Sequence, residues 1–155
     1  MLKIVLYEPQ IPPNTGNIAR TCAALKTELH LVGNLGFDIS DRAVKRAGLD
    51  YWPYVDLHQH RDWTTFSLYQ NQRGGRLIAF SIKGKCSHTS HSFQNEDWLL
   101  FGQENKGLPP EIMTSCDQIL RIPMLHPQVR SLNLSVSVAV GLYEAKRQIG
   151  ELTSS

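Results

Sequence analysis

The 155-residue sequence lacks most of the features that would give a quick functional reading. It has three cysteines, Cys22, Cys86 and Cys116, an odd number with no CxxC pair. That argues against both a disulfide framework and a cysteine-built zinc site. No apolar run approaches the length of a membrane span, and Met1-Leu2-Lys3-Ile4 enters an apolar stretch without the layout of a signal peptide. A reducing cytoplasmic compartment with no membrane association is expected. No GxGxxG follows the first apolar run, and there is no GxxxxGK[ST] phosphate loop and no GxSxG elbow. His58, His60, His88 and His91 have no carboxylate or cysteine at ligand spacing, so they read as surface histidines and no metal is expected. The net charge of +2 neither requires nor excludes nucleic acid, because the arrangement of charge matters more than its sum.

What is present is a chain of ordinary single-domain length, with one domain expected over residues 1–155. Its 41% hydrophobic content suffices for one core. Leu2–Tyr7 is a short apolar run stopped by Pro9, Pro12 and Pro13, which predicts a strand. Asn14–Asn17 reads as the start of a helix that carries Ile18, Cys22 and Leu25 at helical spacing, with Cys22 turned to the core. Further strands are expected at Leu29–Val32, Val55–Leu57 (weakly), Arg76–Ser81, Trp98–Phe101 and Gln118–Ile122. Helices are expected at Asp41–Ala47, after a cap at Asp62, at Pro109–Thr114, and from Ser131 to near Gly150. Lys83–Glu96 is polar and aperiodic, and reads as a loop. Strands alternating with helices predict an α/β domain, with a mainly parallel sheet and helices on both faces. Ligands of such sheets sit beyond the carboxyl ends of the strands, where the most unusual residues of this chain fall.

Three segments stand out there. In Asn14-Thr15-Gly16-Asn17-Ile18-Ala19-Arg20-Thr21, Gly16 lies near a helix N-terminus, where free N–H groups can bind an anion, and Arg20 follows one turn later. A capped helix with an exposed arginine is the plainer alternative. In Phe101-Gly102-Gln103-Glu104-Asn105-Lys106-Gly107-Leu108-Pro109, a strand runs into a loop with two glycines, which allow backbone to approach a flat ligand. In Arg121-Ile122-Pro123-Met124 and Arg130-Ser131-Leu132-Asn133-Leu134-Ser135, Ser131 and Asn133 suit either helix capping or ligand contact. Ser135, Ser137, Ala139 and Gly141 keep one side of the last helix small, for close packing inside the domain or against a second subunit. The basic residues fall in two groups, Arg42, Lys45 and Arg46, and Lys83 and Lys85. They are either solvated or, if they converge, a footprint for RNA phosphates.

Taken together and in this order, these segments resemble the SpoU–TrmD class of S-adenosylmethionine-dependent RNA methyltransferases, in its 2′-O-ribose branch. The resemblance runs from Leu2 to about Gly150. Tyr7-Glu8-Pro9-Gln10-Ile11-Pro12-Pro13-Asn14-Thr15-Gly16-Asn17 and Arg46-Ala47-Gly48-Leu49-Asp50-Tyr51 narrow it to the minimal subfamily that methylates the wobble cytidine or uridine of transfer RNA. Gln103, Asn105-Lys106 and Ser137 depart mildly from the usual pattern.

The resemblance implies a C-terminal deep trefoil knot, despite the rarity of knots, and a homodimer. It implies S-adenosylmethionine held by Phe80, Gly102, Ile122 and Ser131, with Glu104, Met124, Leu132 and Asn133 at neighbouring motif positions. It places Arg20 near the reacting hydroxyl, with Asn17 and Arg130 at the same centre, and matches Tyr143 without a settled role. The anticodon stem-loop is expected on Arg42, Lys45, Arg46, Lys83 and Lys85. A guanidinium stays protonated, so Arg20 suits hydrogen bonding to the 2′-oxygen and a phosphate better than proton abstraction. Glu104 reads as an orienting carboxylate rather than a base. The alternatives are the same reaction on another transfer-RNA or ribosomal nucleotide, a non-catalytic RNA-binding module, or an unrelated nucleotide-binding α/β domain.

Overall fold

A computed structural model describes residues 1–153. In chain order its elements are strand β1 (Lys3–Tyr7), helix α1 (Pro12–Ala24), β2 (Glu28–Val32), α2 (Arg42–Gly48), a 3-10 segment (Leu49–Tyr54), β3 (Leu57–His60) and α3 (Trp63–Arg73). There follow β4 (Leu77–Phe80), β5 (Cys86–Ser87), a 3-10 turn (His88–Ser90), β6 (Trp98–Phe101), α4 (Pro110–Met113), β7 (Gln118–Arg121) and α5 (Leu134–Gln148). The seven strands form one sheet in the order β3-β2-β1-β6-β4-β7-β5, and every pairing is parallel.

Side chains alternate across a strand, so the apolar runs feed two cores. Leu2, Ile4 and Leu6 join Ile18 and Cys22 of α1 and Val138, Leu142 and Ala145 of α5 on one side. Val5, Leu100 and Trp98 join Phe66 of α3 and Ile112 and Met113 of α4 on the other. Helices therefore cover both faces, as expected of a buried parallel sheet. Burial also pushes the Cys22 thiol pKa well up, so it stays a packing group.

Several boundaries differ from the sequence expectation. Helix α1 starts at Pro12, not at Asn14, because Pro12 and Pro13 occupy the first turn, where their missing N–H groups cost nothing. Strand β3 lies at Leu57–His60 instead of Val55–Leu57. It pairs His30 with His58 and Val32 with His60, so two of its histidines behave as inward strand residues. The polar stretch 83–96 contains β5 and a 3-10 turn. The last helix begins at Leu134, with the Asn133 side chain accepting from the Ser135 N–H at 2.9 Å. Among the described residues, no helix is long and apolar enough to cross a membrane.

Candidate active site

The carboxyl ends of β4, β6 and β7 and the approach to α5 enclose one pocket. Its apolar floor is Phe80, Phe101, Leu108, Met113, Ile122 and Leu134, and its rim carries Ser81, Ser131 and Ser137. Of the expected cofactor residues, Phe80, Gly102, Glu104, Ile122, Met124, Ser131 and Leu132 line it, and so do Arg130 and Lys83. Asn133 is not part of the lining; it caps α5. Gln103 and Leu108 of the 101–109 loop also line the pocket, as do Ser81, Met113 and Ser137, which carry no cofactor signal in the sequence.

The shape of the 101–108 loop explains both of its glycines. Gln103 and Gly107 exchange backbone hydrogen bonds at 3.2 and 3.0 Å, folding the loop on itself. A Cβ on Gly102 would lie 2.2 Å from the Gly107 carbonyl carbon. Gly107 has φ +65°, a left-handed conformation that glycine adopts without penalty. The closure of the loop is therefore enough by itself to require glycine at 102. Gly141 of α5 meets the rings of Phe80 and Phe101, where a Cβ would lie 2.9 Å from Phe80. The small side of α5 is thus used, at that residue, inside the domain.

Glu104 ties three distant segments together. Its two oxygens accept from the backbone N–H of Gln10 and of Ile11, each at 2.9 Å, and from Asn14 Nδ2 at 3.2 Å. Asn14 Oδ1 in turn accepts from Asn133 Nδ2 at 3.1 Å. The loop after β6, the entry to α1 and the head of α5 are locked by this relay, and its carboxylate is already committed to N–H donors. Asn14 was not marked as a site residue in the sequence, where it looks like any polar residue at a helix start.

The anion reading of the α1 N-terminus is corrected. Two of the first-turn residues are prolines, and the N–H groups of Asn14 and Thr15 point to the Ile11 carbonyl. Gly16 is buried between helices: a Cβ there would lie 2.4 Å from the Val44 carbonyl oxygen and 2.5 Å from Ala47 Cβ of α2. Its role is close packing of α1 on α2.

Asn17 and Arg20 lie on the exposed side of α1, outside the pocket lining. The Arg20 guanidinium stacks 4.6 Å above the centre of the Tyr51 ring and donates to its hydroxyl at 3.4 Å. Arg42, Lys45 and Arg46 are exposed on α2, which packs on α1. Lys83 and Lys85 lie on the β4–β5 connection, and within one chain the two basic groups occupy separate elements.

The histidines depart most from expectation. His88 is buried. His30, fully buried on β2, bonds His60 Nε2 through Nδ1 at 2.9 Å and Glu28 Oε1 through Nε2 at 3.0 Å. Glu28 supplies the carboxylate that sequence spacing did not reveal, and it, His30 and His58 bring their polar atoms close together. Arg73, however, grips Glu28 with two bonds of 2.7 and 2.9 Å. The His30 and His58 rings are stacked, 4.5 Å apart and 13° from parallel. Lone pairs in parallel ring planes diverge from a common ion, so the cluster is a packed polar network under α3. Desolvation lowers the His30 pKa to about 3, and the Arg73 hydrogen bonds hold the Glu28 pKa at about 2.

A family model described as the SpoU rRNA Methylase family matches residues 1–143. The chain belongs to the SpoU methylase family. Among the family's members, the tRNA (cytidine(34)-2′-O)-methyltransferase of Escherichia coli (strain K12) is 46% identical over 152 residues, covering 97% of this chain and 95% of its own. A solved structure described as giving insights into the 2-OH methylation of C/U34 on tRNA superposes with a TM-score of 0.92 at 50% identity, covering 97% of each chain. The SpoU methyltransferase AviRb from Streptomyces viridochromogenes, in complex with the cofactor AdoMet, superposes with a TM-score of 0.90 at 26% identity, over 96% of this chain and 60% of that one. S-adenosylmethionine is accordingly the cofactor of this SpoU methylase. The pocket suits it: the apolar floor matches a flat adenine, and serine hydroxyls and loop backbone match its polar ribose and amino-acid ends.

Proposed function

We propose that this chain methylates the ribose 2′-hydroxyl of the wobble nucleotide, cytidine or uridine 34, of transfer RNA. The observation that carries this reading is the pocket. The strand ends and loops at 80–83, 101–108 and 121–137 converge on it, in a chain that matches a cytidine-34 methyltransferase over 97% of its length.

When bound, S-adenosylmethionine supplies a methyl group made electrophilic by its sulfonium. The protein's part is positioning, which in ideal cases lowers a barrier by ~7–11 kcal/mol. Phe80, Gly102, Ile122, Met124, Ser131 and Leu132 hold the cofactor, while Glu104 and Asn133 fix the loop and helix that carry those contacts. Arg20 hydrogen-bonds the 2′-oxygen and an adjacent phosphate, with Asn17 and Arg130 beside the same centre. A guanidinium remains protonated at any working pH, so the hydroxyl proton passes to the phosphate or to water. Arg42, Lys45, Arg46, Lys83 and Lys85 contact the anticodon stem-loop, and the cytosol is the compartment of this reaction.

The active species is a homodimer. Exposed Ile11, Leu132, Val136 and Tyr143 offer apolar surface for a second copy. Arg20 and α2 lie outside the pocket of their own chain, which suits delivery to the neighbour's cofactor. The fold carries a trefoil knot at its C-terminal end. Supporting this, β7 lies between the consecutive strands β4 and β5. The connection spanning it packs so closely that a Cβ on Gly84 would lie 2.5 Å from the Leu120 carbonyl carbon.

Incubation with labelled cofactor and unmodified transfer RNAs, followed by mapping of the label, tests the reading. The expected product carries one methyl on the ribose of nucleotide 34. Absence of label from every transfer RNA, or label on a base or another ribose, refutes it.

A further inference from the structure

We infer that Tyr51 is a positioning residue for Arg20, its ring holding the guanidinium in the orientation that meets the reacting ribose. This rests on the role given to Arg20 above and assigns a residue through which that role is achieved.

Four other arginines of the chain are held by carboxylates. Arg73 pairs with Glu28, Arg76 with Asp97, Arg147 with Glu144 and Arg61 with Asp62. Arg20 differs. Among the described residues no carboxylate pairs with it, and its partner is an aromatic face 4.6 Å away plus a hydroxyl at 3.4 Å. The difference has a chemical consequence. A carboxylate would occupy the forked N–H donors and cancel the charge that a phosphate or a 2′-oxygen has to meet. An aromatic face attracts the cation through its quadrupole and leaves most of the guanidinium's donors free.

An exposed arginine on a helix otherwise spreads over many rotamers, and immobilising it on binding carries an entropic cost. Stacking removes part of that cost before the RNA arrives. Tyr51 is itself 40% exposed, so core packing does not account for its placement. It stands on the 3-10 segment Leu49–Tyr54, which packs against α1 and is anchored by its neighbour Trp52 against the core. The segment thus carries an exposed ring on a fixed base beside the arginine. At 3.4 Å the hydroxyl bond is long, so the ring face is the principal element.

The test is single-turnover methylation of transfer RNA by Tyr51→Leu, Tyr51→Phe, Arg20→Ala and the Tyr51→Leu/Arg20→Ala double variant, with cofactor KM and thermal stability measured alongside. Tyr51→Leu is expected to slow the chemical step ~5-fold, equivalent to about 1 kcal/mol, with cofactor KM and Tm unchanged. Tyr51→Phe, which keeps the face, is expected within about 2-fold of the wild type, a difference of roughly 0.4 kcal/mol. The double variant is expected to match Arg20→Ala alone. A wild-type rate for Tyr51→Leu while Arg20→Ala is crippled overturns the positioning role and leaves Arg20 standing. The same ~5-fold loss appearing again on the Arg20→Ala background shows that Tyr51 acts independently, and also overturns it. A full rate for Arg20→Ala refutes the role of Arg20 itself, and the inference with it. If Tyr51→Leu lowers Tm, Tyr51→Trp decides: a near-wild-type rate supports the role of the aromatic face, and a 5-fold loss overturns it.

Discussion

Acidifying the protein from pH 7 to pH 5 should destabilise it, and chiefly through His30. His30 is fully buried on β2, faced by Glu28 on its own strand, His58 and His60 on β3, and Tyr69 and Arg73 on α3. Desolvation outweighs the pull of Glu28 and lowers its pKa from 6.5 to about 3. The folded state therefore refuses a proton that the unfolded state accepts below pH 6.5. The sign follows: stability is complete above pH 6.5, falls as pH drops below that value, and stops falling near pH 3. At about 1.4 kcal/mol per pH unit, the loss at pH 5 is about 2 kcal/mol, a sizeable part of the roughly 5–15 kcal/mol of a typical domain. Glu28 acts in a lower window: its pKa of about 2 contributes stability that is lost only as pH falls below 4.5. His60 and His91 are also shifted down, both mainly by desolvation, and add losses of the same sign, so the share of His30 must be isolated. Urea unfolding at pH 7, 6 and 5, on the wild type and on His30→Gln, does this. The reasoning is refuted if both proteins lose stability in parallel, or if the wild type is as stable at pH 5 as at pH 7.

Two further outcomes are expected. Glu104→Gln removes a charged acceptor from two backbone N–H groups, and with it about 1–3 kcal/mol of loop anchoring. Cofactor affinity should fall about 10-fold by calorimetry, the equivalent of ~1.4 kcal/mol, while an unchanged Kd would detach the relay from cofactor binding. Binding of the anticodon stem-loop should weaken steeply between about 50 and 200 mM salt. Arg42→Gln/Lys45→Gln/Arg46→Gln should flatten that slope, and a slope that stays the same would remove α2 from the RNA surface.

The strands were legible wherever an apolar run ended at glycine or proline, as at Trp98–Phe101 before Gly102 and Leu77–Phe80 after Gly74-Gly75. β5 was not, because two residues leave no period to read. β3 was misplaced because His58 and His60 look like surface residues until β2 supplies His30 and Glu28 beside them. That partnership is made by strand pairing thirty residues apart, not by spacing. The pocket residues came from the family resemblance that the motif segments carry, but the reasons for two glycines did not. Gly16 suggested an anion site and Gly102 the approach of a flat ligand, but neighbouring backbone already demands glycine at both, a demand visible only when Val44 and Gly107 are in place. Asn14, the middle of the relay, carried no signal of its own.

The position of β1 has a consequence for synthesis. It is an interior strand of the sheet, paired with β2 on one side and with β6 on the other. β2 follows it soon after in the chain, but the residues that pair with its other edge, Trp98–Phe101, are made more than half the chain later. At the usual ~5–20 residues per second, that edge waits several seconds on the ribosome with a row of unpaired amides beside an apolar surface. The nascent chain is therefore most open to mispairing with another copy before β6 emerges. Ribosome pausing or chaperone holding in that interval bears on the yield of active enzyme as much as the stability of the finished fold does.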